Sequence, residues 1–167
     1  CWSPDGSRIA YTSKKLNGTD AAKSTNSDIY IYNVYNQKTE NISQGNGGYD
    51  TNPVFSPDGT QIMWLSMEED GYEADKNNIM VYDYGLLSKT RITEKFDNTV
   101  EKAVYSPDGR AIYFNAPIAG TVQLFKAIPG ERNTVITQLT DQVQDLSEFS
   151  IGQLGKNPVI IAGIMSM

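Results

Sequence analysis

Apolar positions along this chain come in short runs where β-branched and aromatic residues alternate with small or polar ones. A period of two suits strands, not helices. The clearest runs are Ile9 to Thr12, Ile29 to Tyr32, Gln61 to Ser66, Asn78 to Asp83, Ile112 to Asn115 and Val122 to Ala127. Between them lie stretches rich in Gly, Asn, Asp, Ser and Pro, the residues of turns. No amphipathic helix of useful length is visible. The pattern predicts an all-β chain.

One punctuation mark recurs. Ser3-Pro4-Asp5-Gly6, Ser56-Pro57-Asp58-Gly59 and Ser106-Pro107-Asp108-Gly109 each follow an aromatic residue (Trp2, Phe55, Tyr105) and each precede an alternating strand. Proline presets φ at the first central turn position, aspartate bonds locally to backbone, and glycine accepts the positive φ that closes a bulged hairpin. The serine before proline stays extended and can end a strand. Each copy reads as strand, turn, strand. A period of about 50 residues with strands inside each unit points to a propeller or another β-array.

Taken in order, the first unit has a strand at Ile9 to Thr12, an exposed polar loop from Ser13 to Ser27, and a strand at Asp28 to Asn33. A turn at Asn36 to Lys38 and a short polar edge strand at Thr39 to Ser43 follow. The second unit repeats this with Asn52 to Ser56, Gln61 to Ser66, a loop from Met67 to Asn77, and Asn78 to Asp83. A turn holding Gly85 and Ser88-Lys89 leads to an outer strand at Thr90 to Thr93. The third has Lys102 to Ser106, Ile112 to Asn115, Val122 to Ala127, a reversal at Pro129-Gly130, and Val135 to Thr140. Four strands per unit is the make-up of a propeller blade.

A fourth unit starts at Phe149-Ser150, where the turn has decayed to Ile151-Gly152 and a buried strand follows at Pro158 to Ala162. Val143, Leu146 and Phe149 are spaced by three, so one helical turn is the alternative there; register with the other units favours strand. Trp2-Ser3 reads as the tail of a strand begun earlier, so the chain is expected to be part of something longer. The expected division is a single propeller fragment over 1–167, with blades at about 1–48, 49–98 and 99–141 and part of a fourth at 142–167.

Composition narrows the chemistry. The 167 residues carry a net charge of −6, which does not attract nucleic acid or an anionic membrane. Histidine is absent, and with it the commonest general base and zinc ligand. The single cysteine, Cys1, has no partner in the chain, and no apolar run is long enough to span a bilayer. No Gly-x-Ser-x-Gly elbow exists, so no serine nucleophile is expected. The carboxylates between Glu68 and Asp75 lack the alternating ligand spacing of a calcium loop and read as a solvated acidic loop. Gly45, Gly47 and Gly48 run into a strand instead of a helix N-terminus, so they read as a flexible connector and not a phosphate cradle. Tyr30 and Tyr32 alternate with Ile29 and Ile31 as ordinary strand residues. Asn17-Gly18-Thr19 and Asn41-Ile42-Ser43 fit the short glycosylation pattern. No catalytic residue, metal or cofactor is expected.

Repeats of aromatic-Ser-Pro-Asp-Gly, an Ile-x-aromatic strand and a later Asp-Ile-Tyr strand resemble the propeller repeats of TolB and of the prolyl oligopeptidase family of serine peptidases. The stretch Trp64-Leu65-Ser66-Met67-Glu68-Glu69-Asp70-Gly71-Tyr72-Glu73-Ala74-Asp75-Lys76 resembles the dipeptidyl-peptidase V and acylaminoacyl-peptidase branch. In that family a separate α/β-hydrolase domain does the chemistry and the propeller restricts entry to peptides. The resemblance therefore implies a non-catalytic, substrate-gating propeller in a periplasmic or secreted peptidase, with TolB-like interaction scaffold as the alternative. It also offers Glu68 and Glu69 as counterparts of the propeller glutamates that hold a substrate amine, although the flanking residues differ from that pattern. An open arc of blades would expose apolar faces, so a homo-oligomer is expected.

Overall fold

The computed structural model describes residues 1–15, 18–72, 74–130, 133–141, 144–155 and 157–166. The chain divides into two compact units, Cys1–Arg91 and Ile92–Met167.

The first unit holds two antiparallel sheets. Sheet 1 is β1 (Arg8–Ser13), β2 (Asp28–Asn33) and β3 (Thr39–Asn41). Cys1 to Ser3 lies along β1, with Ala10 N–H donating to Cys1 O at 2.8 Å and Ser3 N–H to Arg8 O at 2.9 Å. Sheet 2 is β4 (Asp50–Phe55), β5 (Gln61–Ser66), β6 (Asn78–Asp83) and β7 (Ser88–Arg91), in that order. A single helical turn, α1 (Asp20–Lys23), sits in the loop after β1.

The alternation read from sequence sorts the side chains. Ala10, Ile29 and Ile31 of sheet 1 bury against Phe55, Ile62 and Trp64 of sheet 2. Removing Ile29, Ile31, Phe55 and Ile62 from water supplies roughly 1.5–3 kcal/mol each. At one edge of this interface the Arg8 guanidinium lies 4.2 Å from the Tyr84 ring centroid and donates to Gly59 O at 2.8 Å, so one repeated turn is tied to the next. Burial pushes the Tyr84 phenol up to about 12, against the lowering effect of Arg8.

The second unit holds sheet 3, made of β8 (Lys102–Tyr105), β9 (Ile112–Ile118), β10 (Thr121–Ile128) and β11 (Val135–Gln138). Sheet 4 is a hairpin, β12 (Gln144–Leu154) with β13 (Asn157–Ser166). Leu146 and Phe149 of the hairpin pack on Ala111, Tyr113 and Leu124 of sheet 3. On the other face Phe96, Phe114 and Phe125 form an aromatic cluster with centroids 5.0–5.3 Å apart.

The three repeated turns are built alike. The serine hydroxyl donates to the aspartate at 2.6–2.7 Å and accepts the backbone N–H five residues on at 2.9 Å. The glycines take φ of +71°, +72° and +70°, the left-handed region that only glycine enters without strain.

Four local expectations change. The strand expected to be buried at Pro158 to Ala162 forms within β13 but is exposed save for the half-buried Ile160, because its hairpin covers sheet 3 with one face only. Ile151 and Gly152 are inside β12, not in a turn; the reversal comes later, where Gly155 has φ +64°. Without a Pro-Asp-Gly to stop it, the strand keeps pairing, and Ile151 faces Ile160 across the hairpin. Leu146 and Phe149 are in that strand, as register suggested, whereas Val143 lies outside the described residues. Ser88 and Lys89 belong to strand β7, whose turn is carried by Tyr84 to Leu87, with Leu87 at φ +52°. Ile92 and Thr93 are buried past the strand's end.

Candidate functional site

In sheets 1 and 2 the Ser-Pro-Asp-Gly turns mark one end of the strands. The opposite end carries the long β1–β2 and β5–β6 connections, residues 14–27 and 67–77. Sheet 3 joins the equivalent strands through Ala119 and Gly120 alone, both at positive φ as a tight hairpin requires. The polar loops are therefore specific to the first unit, and a groove of about 730 Å³ lies between them.

The groove is lined by Lys14, Ser24, Thr25, Tyr49, Met67 and Tyr72 among others. Asp70 draws the two loops together. Its Oδ1 accepts the Ser24 hydroxyl at 2.7 Å and Thr25 N–H at 2.7 Å, while Gly71 N–H donates to Thr25 Oγ1 at 2.8 Å. The Ser24 hydrogen bond, ahead of the backbone one, holds the Asp70 carboxyl below its ordinary range. Asp75 shapes its own loop: burial works against its charge, yet the N–H groups of Glu68, Glu69 and Lys76 prevail and lower its pKa. Tyr49 and Tyr72 leave their rings exposed at the rim.

Behind the groove lies a buried polar cluster. Ser27 and Asp50 exchange backbone and side-chain bonds, with Asp50 N–H to Ser27 O at 3.0 Å and Ser27 Oγ to Asp50 O at 2.9 Å. Asn46 Nδ2 reaches Asp50 Oδ1, Ser66 Oγ and Met67 O at 3.1, 3.2 and 2.8 Å. Next to it, an added Cβ on Gly48 would stand 2.1 Å from Met67 O. Gly48 is thus a packing position and not a flexible connector; only a bare Cα lets the two segments pass.

Glu68 and Glu69, the residues singled out from sequence, are both exposed and near this groove. Their N–H groups donate to Asp75 Oδ2 at 2.6 and 3.1 Å. The Glu68 carboxylate is ion-paired with Arg91, while no ion pair of Glu69 is found among the described residues. Glu73 lies outside the described residues. Sequence reading missed the Asp70 clasp and the Asp50 cluster, because both depend on contacts between residues more than ten positions apart in the chain. Gly48 beside a strand entrance was the one local clue, since a glycine there marks close backbone approach.

The arrangement offers hydrogen-bonding groups, a lysine and aromatic edges to an extended polar chain. Among the described residues no cluster of His, Cys, Asp or Glu is close enough to hold a metal ion.

A family model described as the TolB β-propeller domain (PD40) matches residues 1–147. Dipeptidyl-peptidase 5 from Porphyromonas gingivalis is 42% identical over 161 residues, which is 96% of this chain and 23% of that protein. The chain thus spans about a quarter of its relative's length. Among solved structures, TolB from Acinetobacter baumannii aligns with a TM-score of 0.60 at 22% identity, covering 98% of this chain and 39% of that one. The β-propeller domain of the trilobed protease from Pyrococcus furiosus aligns with a TM-score of 0.63 at 20% identity, covering 93% and 45%. At these identities the structural likeness is one of fold. It is the all-β partial propeller expected from the repeats, with three blade-like sheets and part of a fourth.

Proposed function

The chain belongs to the TolB β-propeller domain family, and we propose that it is the non-catalytic, substrate-gating propeller of a dipeptidyl-peptidase-type serine peptidase, secreted or periplasmic. The observation that carries this reading is the 42% identity to dipeptidyl-peptidase 5 across nearly the whole chain. The loop-lined groove supports it. Hydroxyls, backbone groups and two tyrosine rings suit an extended peptide passing the rim, while the histidine that activates a serine nucleophile in a Ser-His-Asp triad is not among the residues of this chain.

In this reading the blades divide at about 48, 98 and 141, and the carboxylate of Glu69, not already paired, meets the peptide amine with Glu68 beside it. The exposed Val159, Ile161 and Met165 lie on one face of β13 and form an apolar surface, and the same proposal includes self-association of the isolated chain through it. Light scattering at micromolar concentration tests that part, and a monomer would remove it.

Hydrolysis of dipeptidyl 4-nitroanilides tests the main claim. The chain alone should release no nitroaniline, and the full-length protein should release it with a free N-terminus required. Turnover by the isolated chain would overturn the gating role. A full-length protein that cleaves none of these substrates would favour the scaffold reading.

A further inference from the structure

The third repeat breaks its own pattern at two neighbouring positions. The residue after the turn glycine is Ser7 in the first copy and Thr60 in the second, and each hydroxyl donates back to the turn aspartate, at 2.8 and 2.9 Å. In the third copy it is Arg110, which has no hydroxyl for that bond. The second departure is Lys126. Strand register pairs it with Tyr113, as Ile31 pairs with Ala10 and Val81 with Met63. Ile31 and Val81 are 4% and 6% exposed core residues. Where its siblings bury an apolar side chain, sheet 3 places a half-buried lysine.

These two cations border one cleft of about 330 Å³ inside the second unit, between sheet 3 and the β12–β13 hairpin. Tyr113, Ile128 and Pro158 supply apolar walls, and Gln153 brings an amide from the hairpin. Lys126 Nζ sits 5.6 Å from the Tyr113 ring centroid, and among the described residues neither cation has a carboxylate within ion-pair distance. Asp108 also borders the cleft, but its Oδ1 is engaged by the Ser106 hydroxyl at 2.6 Å and Arg110 N–H at 3.1 Å. The balance is two positive charges against one committed negative charge, in a protein whose net charge is −6.

We propose that this cleft binds a small amphipathic carboxylate, its carboxylate held by Lys126 and Arg110 and its apolar body against Tyr113, Ile128 and Pro158. Charge-assisted bonds to a carboxylate are stronger than neutral ones; the half-buried Lys126 supplies one charge, and the exposed Arg110 adds a planar fork that fits both carboxylate oxygens. The volume falls at the lower end of ordinary small-ligand sites. A single committed aspartate leaves a net charge of one, which fits a monocarboxylate better than a phosphate dianion. This inference stands apart from the gating role, since it uses neither the loop groove nor its residues.

The test is a titration of the protein, followed by amide-resonance shifts, with N-acetyl-leucine, N-acetyl-leucinamide and inorganic phosphate as probes. The acid should bind at least tenfold more tightly than the uncharged amide and than phosphate. Lys126→Met, which keeps the stem and removes the charge, should weaken the acid at least tenfold with thermal unfolding unchanged or raised. Arg110→Thr, which restores the sibling hydroxyl, should weaken it as well. Equal binding of acid and amide, phosphate binding as tight as the acid, undiminished binding in Lys126→Met, or no binding of the acid at millimolar concentration would each overturn the proposal.

Discussion

Trp64 donates its indole N–H to Asp50 Oδ1 at 2.9 Å, with 2% of the tryptophan and none of the aspartate exposed. A carboxylate in that position is far from water. Burial pushes its pKa up, and the surrounding donors Ser66, Ser43, Trp64 and Asn46 pull the other way without prevailing. Oδ2 receives no well-formed hydrogen bond, although the Ser43 and Ser66 hydroxyls are close enough to ease its charge. The pair fastens the entrance of β4 to the middle of β5, directly behind the loop groove.

Asp50→Asn should therefore separate hydrogen bonding from charge. The amide oxygen still accepts from Trp64, and its NH₂ points at hydroxyls able to accept. For a carboxyl whose folded pKa lies above the unfolded value, its contribution is fully present below the unfolded pKa and is lost as pH rises through the folded one. Denaturant unfolding of the native protein should show stability falling across that window, and Asp50→Asn should flatten this fall. Asp50→Ala instead strands the Trp64 indole N–H at about 1–3 kcal/mol, while the Asn46 amide keeps Ser66 Oγ and Met67 O. If Asn is as damaging as Ala at neutral pH, the charge itself is what the cluster needs.

The turn aspartates titrate in the opposite sense. The Ser3 hydroxyl, followed by the Ser7 N–H and hydroxyl, lowers Asp5 to about 2, and Asp58 and Asp108 are lowered chiefly by Ser56 and Ser106. A depressed carboxyl contributes stability that is present above its unfolded pKa and is lost as pH falls through the folded value. Acid unfolding should set in below about pH 4 and deepen toward pH 2. Ser56→Ala removes one such partner and leaves Gln61 N–H without its side-chain acceptor, so it should cost about 1–2 kcal/mol at pH 7 and shift the acid limb upward. An acid limb unmoved by Ser56→Ala and its two counterparts would detach the turns from the pH dependence.

How far the sequence carried the reading depends on the range of the forces involved. Ser56-Pro57-Asp58-Gly59 and its copies were legible because their bonds close within five residues, and the strands flanking them were legible because alternation is local. The end of β12 was not. Ile151-Gly152 looked like a weakened turn, and only its pairing with Val159 and Ile160 keeps it extended. Glu68 stood out by composition, but its ion pair with Arg91 on β7 joins residues far apart in sequence. The cleft at Lys126 needed strand register: a lysine in a strand is unremarkable until its siblings are seen to be buried Ile31 and Val81.

Gly48→Ala tests the groove's back wall. An ideal Cβ there meets Met67 O at 2.1 Å, Met67 C at 2.6 Å and Glu68 C at 2.8 Å, all backbone atoms that cannot rotate away. Overpacking of this kind costs roughly 1–3 kcal/mol, and the displaced segment is the one leading into Glu68 and Glu69. Gly47→Ala, whose nearest atom is Glu68 O at 4.0 Å, should be close to neutral. Equal unfolding midpoints for the two variants would show that Met67 gives way freely.

The two glutamates should behave differently although they are adjacent. Glu68 is half exposed and paired with Arg91, an arrangement worth about 0–1 kcal/mol, so Glu68→Gln should change stability little. In the gating proposal Glu69 has the uncommitted carboxylate and would bond a protonated peptide amine. Glu69→Gln in the full-length protein should then raise KM for dipeptidyl substrates about tenfold, the scale of one lost charge-assisted hydrogen bond. Its kcat should move less, because the amine is remote from the bond that breaks. An N-acetylated analogue, lacking the charge, should bind native and Glu69→Gln proteins alike. If Glu69→Gln leaves KM unchanged and Glu68→Gln raises it, Arg91 releases its partner to substrate and the roles are exchanged; if neither variant moves KM, the amine is held elsewhere.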